Sequence, residues 1–99
     1  MGKMKELLLE EEGYSVLDTL KKRGERYGEY SDVSYRAQAI KDILRGGRAW
    51  DMMESYQQES LDMIANKLSR IVNGDPFYKD NWHDISGYAN LVEIELDKL

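Results

Sequence analysis

Four acids stand at helical spacing in the second half of this chain. Glu59 and Asp62 are three residues apart, and Asp80 and Asp84 are four apart. On helices, each pair emerges on one face. Leu61 and Ile64 must point inward, which leaves Asp62 at the edge of an apolar stripe. Asp84 holds the same place beside Ile85, one turn before Tyr88. Acids on the rims of two adjacent helices converge when the helices pack side by side, and three or four carboxylates together repel unless a cation joins them. Mg2+ suits an all-oxygen site and keeps waters or substrate phosphate as further ligands. There it would polarise a phosphoryl oxygen or activate water. The competing reading is an ordinary acidic helical hairpin, with Asp80 only a cap or dipole partner at its helix start.

Two groups of residues suit a phosphate-bearing ligand. Asn66 follows Asp62 by one turn, and Lys67 and Arg70 offer a point charge and a planar fork. Their plain role is to pair with nearby acids. Arg26-Tyr27-Gly28-Glu29-Tyr30 is the second group. Glycine allows close backbone approach, tyrosine stacks on a base and arginine forks onto phosphate. The same residues also make a good helix exit. His83, the one histidine, lies off the face of Asp80 and reads as a surface residue. Ser60 and Ser86 lack a histidine–acid pair, and Gly46-Gly47 is not followed by the Lys-Ser/Thr of a phosphate loop.

The elements that must position these groups are helical. Ninety-nine residues with 41% hydrophobic and 33% charged residues and one proline form one domain, residues 1–99, without period-2 runs. Cysteine is absent, which excludes disulfides and thiolate chemistry and fits a reducing compartment. No apolar run is long enough to span a membrane, and Leu7-Leu8-Leu9 is too short for a signal peptide, so the cytoplasm is expected. Net charge is −5 and uneven: Gly13 to Trp50 holds eight Lys/Arg against five Asp/Glu, and Asp51 onward four against ten. That acidic half does not suit a nucleic-acid backbone.

Met4 to Glu12 reads as a short amphipathic turn or helix ended by Gly13. Ser15 then caps a helix with Val16, Leu17 and Leu20 inward, ended by Gly28. Ser31 or Asp32 caps the next, with Val33, Ala37, Ile40 and Leu44 at 4-3-4 spacing, ended by Gly46-Gly47. Arg48 to Met53 is a helical turn whose Trp50 and Met53 plug a core gap. The third helix, Glu54 to Val72, buries Leu61, Ile64, Leu68 and Ile71 beside Ala65 and Val72; Gly74 closes it in the left-handed conformation and Pro76 cannot continue it. The fourth starts near Asp80 and buries Trp82, Ile85, Ala89, Val92 and Leu96. The expectation is a four-helix, all-α bundle with short connections.

Arg26-Tyr27-Gly28-Glu29-Tyr30, the helix with Glu59, Asp62, Lys67 and Arg70-Ile71, and the closing Trp82-His83-Asp84-Ile85-Ser86-Gly87-Tyr88-Ala89 resemble small phage and prophage proteins of uncharacterised function. Those look like nucleotide-modification-associated helical domains, and more distantly like the MazG-like all-α nucleoside triphosphate pyrophosphohydrolases. That superfamily binds Mg2+ with a Glu-Glu-x-x-Glu helix and a later Glu-x-x-Asp helix, and cleaves between the α and β phosphates. Here Gln58-Glu59-Ser60-Leu61-Asp62 stands for the first motif and Asn81-Trp82-His83-Asp84 for the second, with Gln58 and Asn81 as amides where the pattern has carboxylates.

The resemblance implies a MazG-like bundle that oligomerises and a nucleotide-binding function. An active form would be a Mg-dependent pyrophosphohydrolase. Glu59, Asp62 and Asp84 would hold the ion, and Asp80 would be a further ligand or water-orienting base. Lys67 and Arg70 would steady phosphates, with Arg26 and Tyr27 at the base or sugar. The alternative is a non-enzymatic helical homo-oligomer whose acidic face engages a host or phage protein, with Trp50, Met52 and Tyr56 as an exposed patch. DNA binding through a helix-turn-helix is opposed by the acidic balance.

Overall fold

The computed structural model describes residues 14–99, which form four α-helices and one 3-10 turn: α1 Tyr14–Tyr27, α2 Tyr30–Arg45, the turn Trp50–Met52, α3 Ser55–Asn73 and α4 Lys79–Leu96. No strand occurs among the described residues. The expected segment Met4 to Glu12 and its stop at Gly13 lie outside them.

Local sequence explains the ends. Gly28 sits at φ 89°, a left-handed value that favours glycine, and its N–H closes α1 onto the Gly24 carbonyl at 2.9 Å. The cap of α2 is Glu29, so Ser31 and Asp32 fall inside the first turn and cap nothing. At α3 the Glu54 side chain accepts from the Gln57 backbone N–H, while Gln57 Oε1 accepts from the Glu54 N–H at 2.8 Å. This reciprocal box satisfies two donors that a helix start leaves open.

α3 is the central helix, packed against α2 on one side and α4 on another. Residues advance roughly 100° each along a helix, so Lys67 and Ser69 leave α3 in very different directions. Both are buried. Ser69 Oγ donates to the Val33 carbonyl of α2 at 2.6 Å; Lys67 Nζ pairs with Asp84 of α4 at 2.9 Å. Among the described residues the buried apolar ones are few: Ala37, Ala65 and Ile71.

The two apolar stripes were expected to be wholly internal, and both are split. On α3, Ile71 is buried but Val72 is 67% exposed; on α4, Ile85 and Val92 are half-buried but Trp82 is 54% exposed and Ala89 and Leu96 are exposed. The face that α4 turns inward runs through Asn81, Asp84, Ile85, Tyr88, Val92 and Glu95, and Asn81 is 1% exposed. The Lys67–Asp84 pair and Asn81 rotate α4 away from its most apolar face.

Gly74 is also not left-handed: it lies at φ −121°, ψ −129°. Glycine is needed there for closeness. A Cβ on Gly74 would sit 2.2 Å from the Arg26 carbonyl oxygen, and one on Gly28 would sit 2.2 Å from that of Asn73. The α1–α2 and α3–α4 turns therefore press against each other, joined by Asp75 N–H donating to the Arg26 carbonyl at 2.8 Å.

Candidate functional site

The glycine contact brings Arg26-Tyr27 against the α3–α4 connection, and an arginine–tyrosine cluster results. Two guanidinium carbons lie over the Tyr27 ring, Arg23 at 5.1 Å and Arg70 at 4.8 Å from its centroid. Arg26 lies over Tyr78 at 5.0 Å, and the two rings meet edge to face at 6.0 Å. Such contacts hold the cations by the negative face of each ring while their N–H groups stay available to an acceptor. Beside Tyr27 opens a cleft of about 1100 Å³ between α1, α2 and α3. Its polar and aromatic lining comprises the cations Lys21, Arg23 and Arg70, the acids Glu25 and Glu29, and Tyr27, Tyr30, Ser34 and Asn66; Leu20, Val33 and Ala37 form its apolar part.

Two of the expected substrate-binding residues, Tyr27 and Arg70, thus share the cleft wall. Arg26 turns to Tyr78, and Lys67 is buried between α3 and α4 against Asp84. Arg23 and Tyr78 were not singled out from sequence. Arg23 was accessible to that reasoning, since it precedes Tyr27 by one helical turn. Tyr78 was not, because its ring reaches Tyr27 only through the glycine contact.

The acids have separate partners. Asp62 faces α2, where Arg45 Nη2 lies 3.7 Å away. That distance makes an ion pair but no hydrogen bond, and the buried Asp62 Oδ1 has no hydrogen-bond partner. Asp84 faces α3, and the Lys67 ammonium donating to it holds its carboxyl below the ordinary value. Asp80 accepts from the Tyr78 hydroxyl at 2.9 Å, which raises the Tyr78 phenol above its usual value. Glu59 is exposed.

Asp62 and Lys67 are five residues apart, roughly 140° around α3, so Asp62 and the carboxylate that Lys67 holds lie on different sides of that helix. Among the described residues no three acids or histidines group closely enough to hold a metal ion. In this arrangement Glu59, Asp62 and Asp84 do not fit one Mg2+ as a set. Of the patch of Trp50, Met52 and Tyr56, Met52 is exposed and the other two are half-buried. No described helix is long and apolar enough to cross a membrane.

No family model, curated protein or solved structure matches this chain.

Proposed function

We propose that this protein binds a nucleotide in the cleft between α1, α2 and α3. The observation that carries this reading is the Tyr27 ring, held under two guanidiniums at the cleft wall. In a chain of net charge −5, a gathering of Arg23, Arg26 and Arg70 needs an anionic counterpart or a structural reason. The rings supply part of the second, and the open cleft supplies room for the first. Tyr30, a lining residue 77% exposed, offers a flat apolar face to a base, and Arg23 and Arg70 offer forked donors to phosphate oxygens. Asn66 adds amide donor and acceptor groups.

On this reading Mg2+ enters with the nucleotide phosphates, since that ion is commonly held by substrate phosphates and one or two carboxylates. Glu25 and Glu29 are the acids that line the cleft and could join it; Glu59 is not among the lining residues. Binding is therefore the proposed activity; MazG-like pyrophosphohydrolysis would further require Asp62 and Asp84 to leave Arg45 and Lys67. The test is isothermal titration of the parent, Tyr27→Ala and Asp84→Ala with a panel of nucleoside mono-, di- and triphosphates, with and without Mg2+. Binding by the parent that Tyr27→Ala abolishes and Asp84→Ala preserves is expected. A parent that binds no nucleotide ends the proposal.

A further inference from the structure

The turn contact that gathers the arginines also contains a chemically labile pair of residues. Asn73-Gly74 is the one asparagine–glycine step among the chain's four asparagines, Asn66, Asn73, Asn81 and Asn90. In such a step the next backbone nitrogen can attack the side-chain amide. Glycine favours this attack, because it has no Cβ to shield its nitrogen and turns readily into the reactive shape. Both residues are tied into the fold. A Cβ at Gly74 would lie 2.2 Å from the Arg26 carbonyl oxygen. The Asn73 amide donates to the Ser69 carbonyl at 2.8 Å and to Ser69 Oγ at 3.2 Å, and its Oδ1 accepts from Arg36 Nε of α2 at 3.3 Å. The packing of the two turns thus requires the glycine, and the α2–α3 contact uses the amide.

We propose that Asn73-Gly74 is a hydrolytic modification site gated by the fold: Asn73 deamidates when the end of α3 opens and is protected while it is closed. In the reaction the Gly74 backbone nitrogen, its proton taken by hydroxide, bonds to Asn73 Cγ. The Cγ–Nδ2 bond breaks and that nitrogen leaves as ammonia. Water then opens the five-membered imide. Opening at the Cγ–N bond gives aspartate; opening at the backbone carbonyl gives isoaspartate, with the chain rerouted through Cγ. The net change consumes one water and releases one ammonia, with no oxidant or reductant.

The folded contacts oppose the first step from both sides. The Gly74 N–H donates to the Arg70 carbonyl at 3.0 Å, which keeps its proton from base. The Asn73 side chain is held back by Ser69, one turn earlier, and by Arg36, so its Cγ cannot turn onto the Gly74 nitrogen. Asn73 is also the last residue of α3, and helix ends open at lower free energy than the middles. The gate is therefore local and needs no global unfolding. Either product loses the amide donors to Ser69. Isoaspartate also adds a backbone carbon at the turn that Gly28 and Gly74 bring against its neighbour, which disturbs the Arg26, Tyr27 and Tyr78 cluster.

The full-length protein is kept in mildly alkaline buffer, with and without denaturing urea, then digested and mapped by mass spectrometry. Isoaspartyl-specific methylation marks the rearranged product. In urea Asn73 is expected to deamidate ahead of Asn66, Asn81 and Asn90. In the folded protein it is expected to react about tenfold more slowly or less. R36A frees Asn73 Oδ1 and S69A removes one acceptor of its amide; each raises the folded rate several-fold and leaves the urea rate unchanged. D84N, which breaks the Lys67 pair on the α4 side, weakens the fold without raising that rate. Circular dichroism shows that each variant keeps its helices. A folded rate equal to the urea rate overturns the proposal, and so does another asparagine reacting first in urea. A folded rate that neither R36A nor S69A changes, or that D84N raises as much as they do, overturns it too.

Discussion

The same small change, glycine to alanine, should have opposite effects at two positions of this chain. At Gly74 the added methyl would lie 2.2 Å from the Arg26 carbonyl oxygen and 2.5 Å from the Tyr27 backbone. These are backbone atoms and cannot swing aside, so the two turns must separate. The Asp75 N–H then loses its 2.8 Å bond to Arg26, worth about 0.5–1.5 kcal/mol. The forced repacking adds about 1–3 kcal/mol, so Gly74→Ala should destabilise by about 1.5–4.5 kcal/mol. At roughly 4–8 °C per kcal/mol for a domain near this size, Tm falls by about 6 °C or more. At Gly24, inside α1, a methyl meets nothing within 4 Å. Alanine there should stabilise by about 0.5–1 kcal/mol through the lower entropy cost of fixing it in a helix. Thermal unfolding followed by circular dichroism, at one protein concentration, compares the three proteins. A Gly74→Ala protein that melts with the parent, or a Gly24→Ala protein that melts well below it, refutes the reasoning.

Further outcomes are expected from the buried polar contacts and the cleft. Ser69→Ala removes a hydroxyl that donates to Val33 and lies 3.2 Å from the Asn73 amide; urea unfolding should show a loss of about 1–3 kcal/mol. Asp84 has a folded pKa held below its ordinary 3.8 by Lys67. Its contribution is present above that value and lost as pH falls through the lower, folded one. Unfolding measured from pH 7 down to acid should show a decline that Asp84→Asn lessens. Tyr78 has the opposite sign: its phenol is raised above 10.0 by Asp80, so its contribution holds below pH 10 and fades in stronger alkali, and Tyr78→Phe removes that alkaline loss. Arg70→Lys replaces a planar fork over Tyr27 by a point charge; calorimetry should find nucleotide affinity reduced with the fold intact.

Much of the helical framework is legible in the sequence because its causes are local. The Gly28 stop and the 4-3-4 row of α2 act within one or two turns, so residue type and spacing suffice to place them. Helix rotation is a different matter. Asn81 and Lys67 look like surface residues by type, yet they are buried, and Trp82 and Val72 look like core residues, yet they are exposed. Burying Lys67 requires a partner, and only the packing of α4 brings Asp84 to it. That pairing and the burial of Asn81 accompany the turn of α4 away from its most apolar face. The pairing also directs Asp84 away from Asp62, so acids with promising spacing end on different sides of α3. The aromatic–cation cluster depends on Gly28 and Gly74 permitting two distant turns to touch. Sequence by itself determined an acidic chain of helices with defined ends; tertiary structure decided which charges meet, which apolar face stays open, and where the arginines gather, because each of those depends on contacts between residues far apart in the chain.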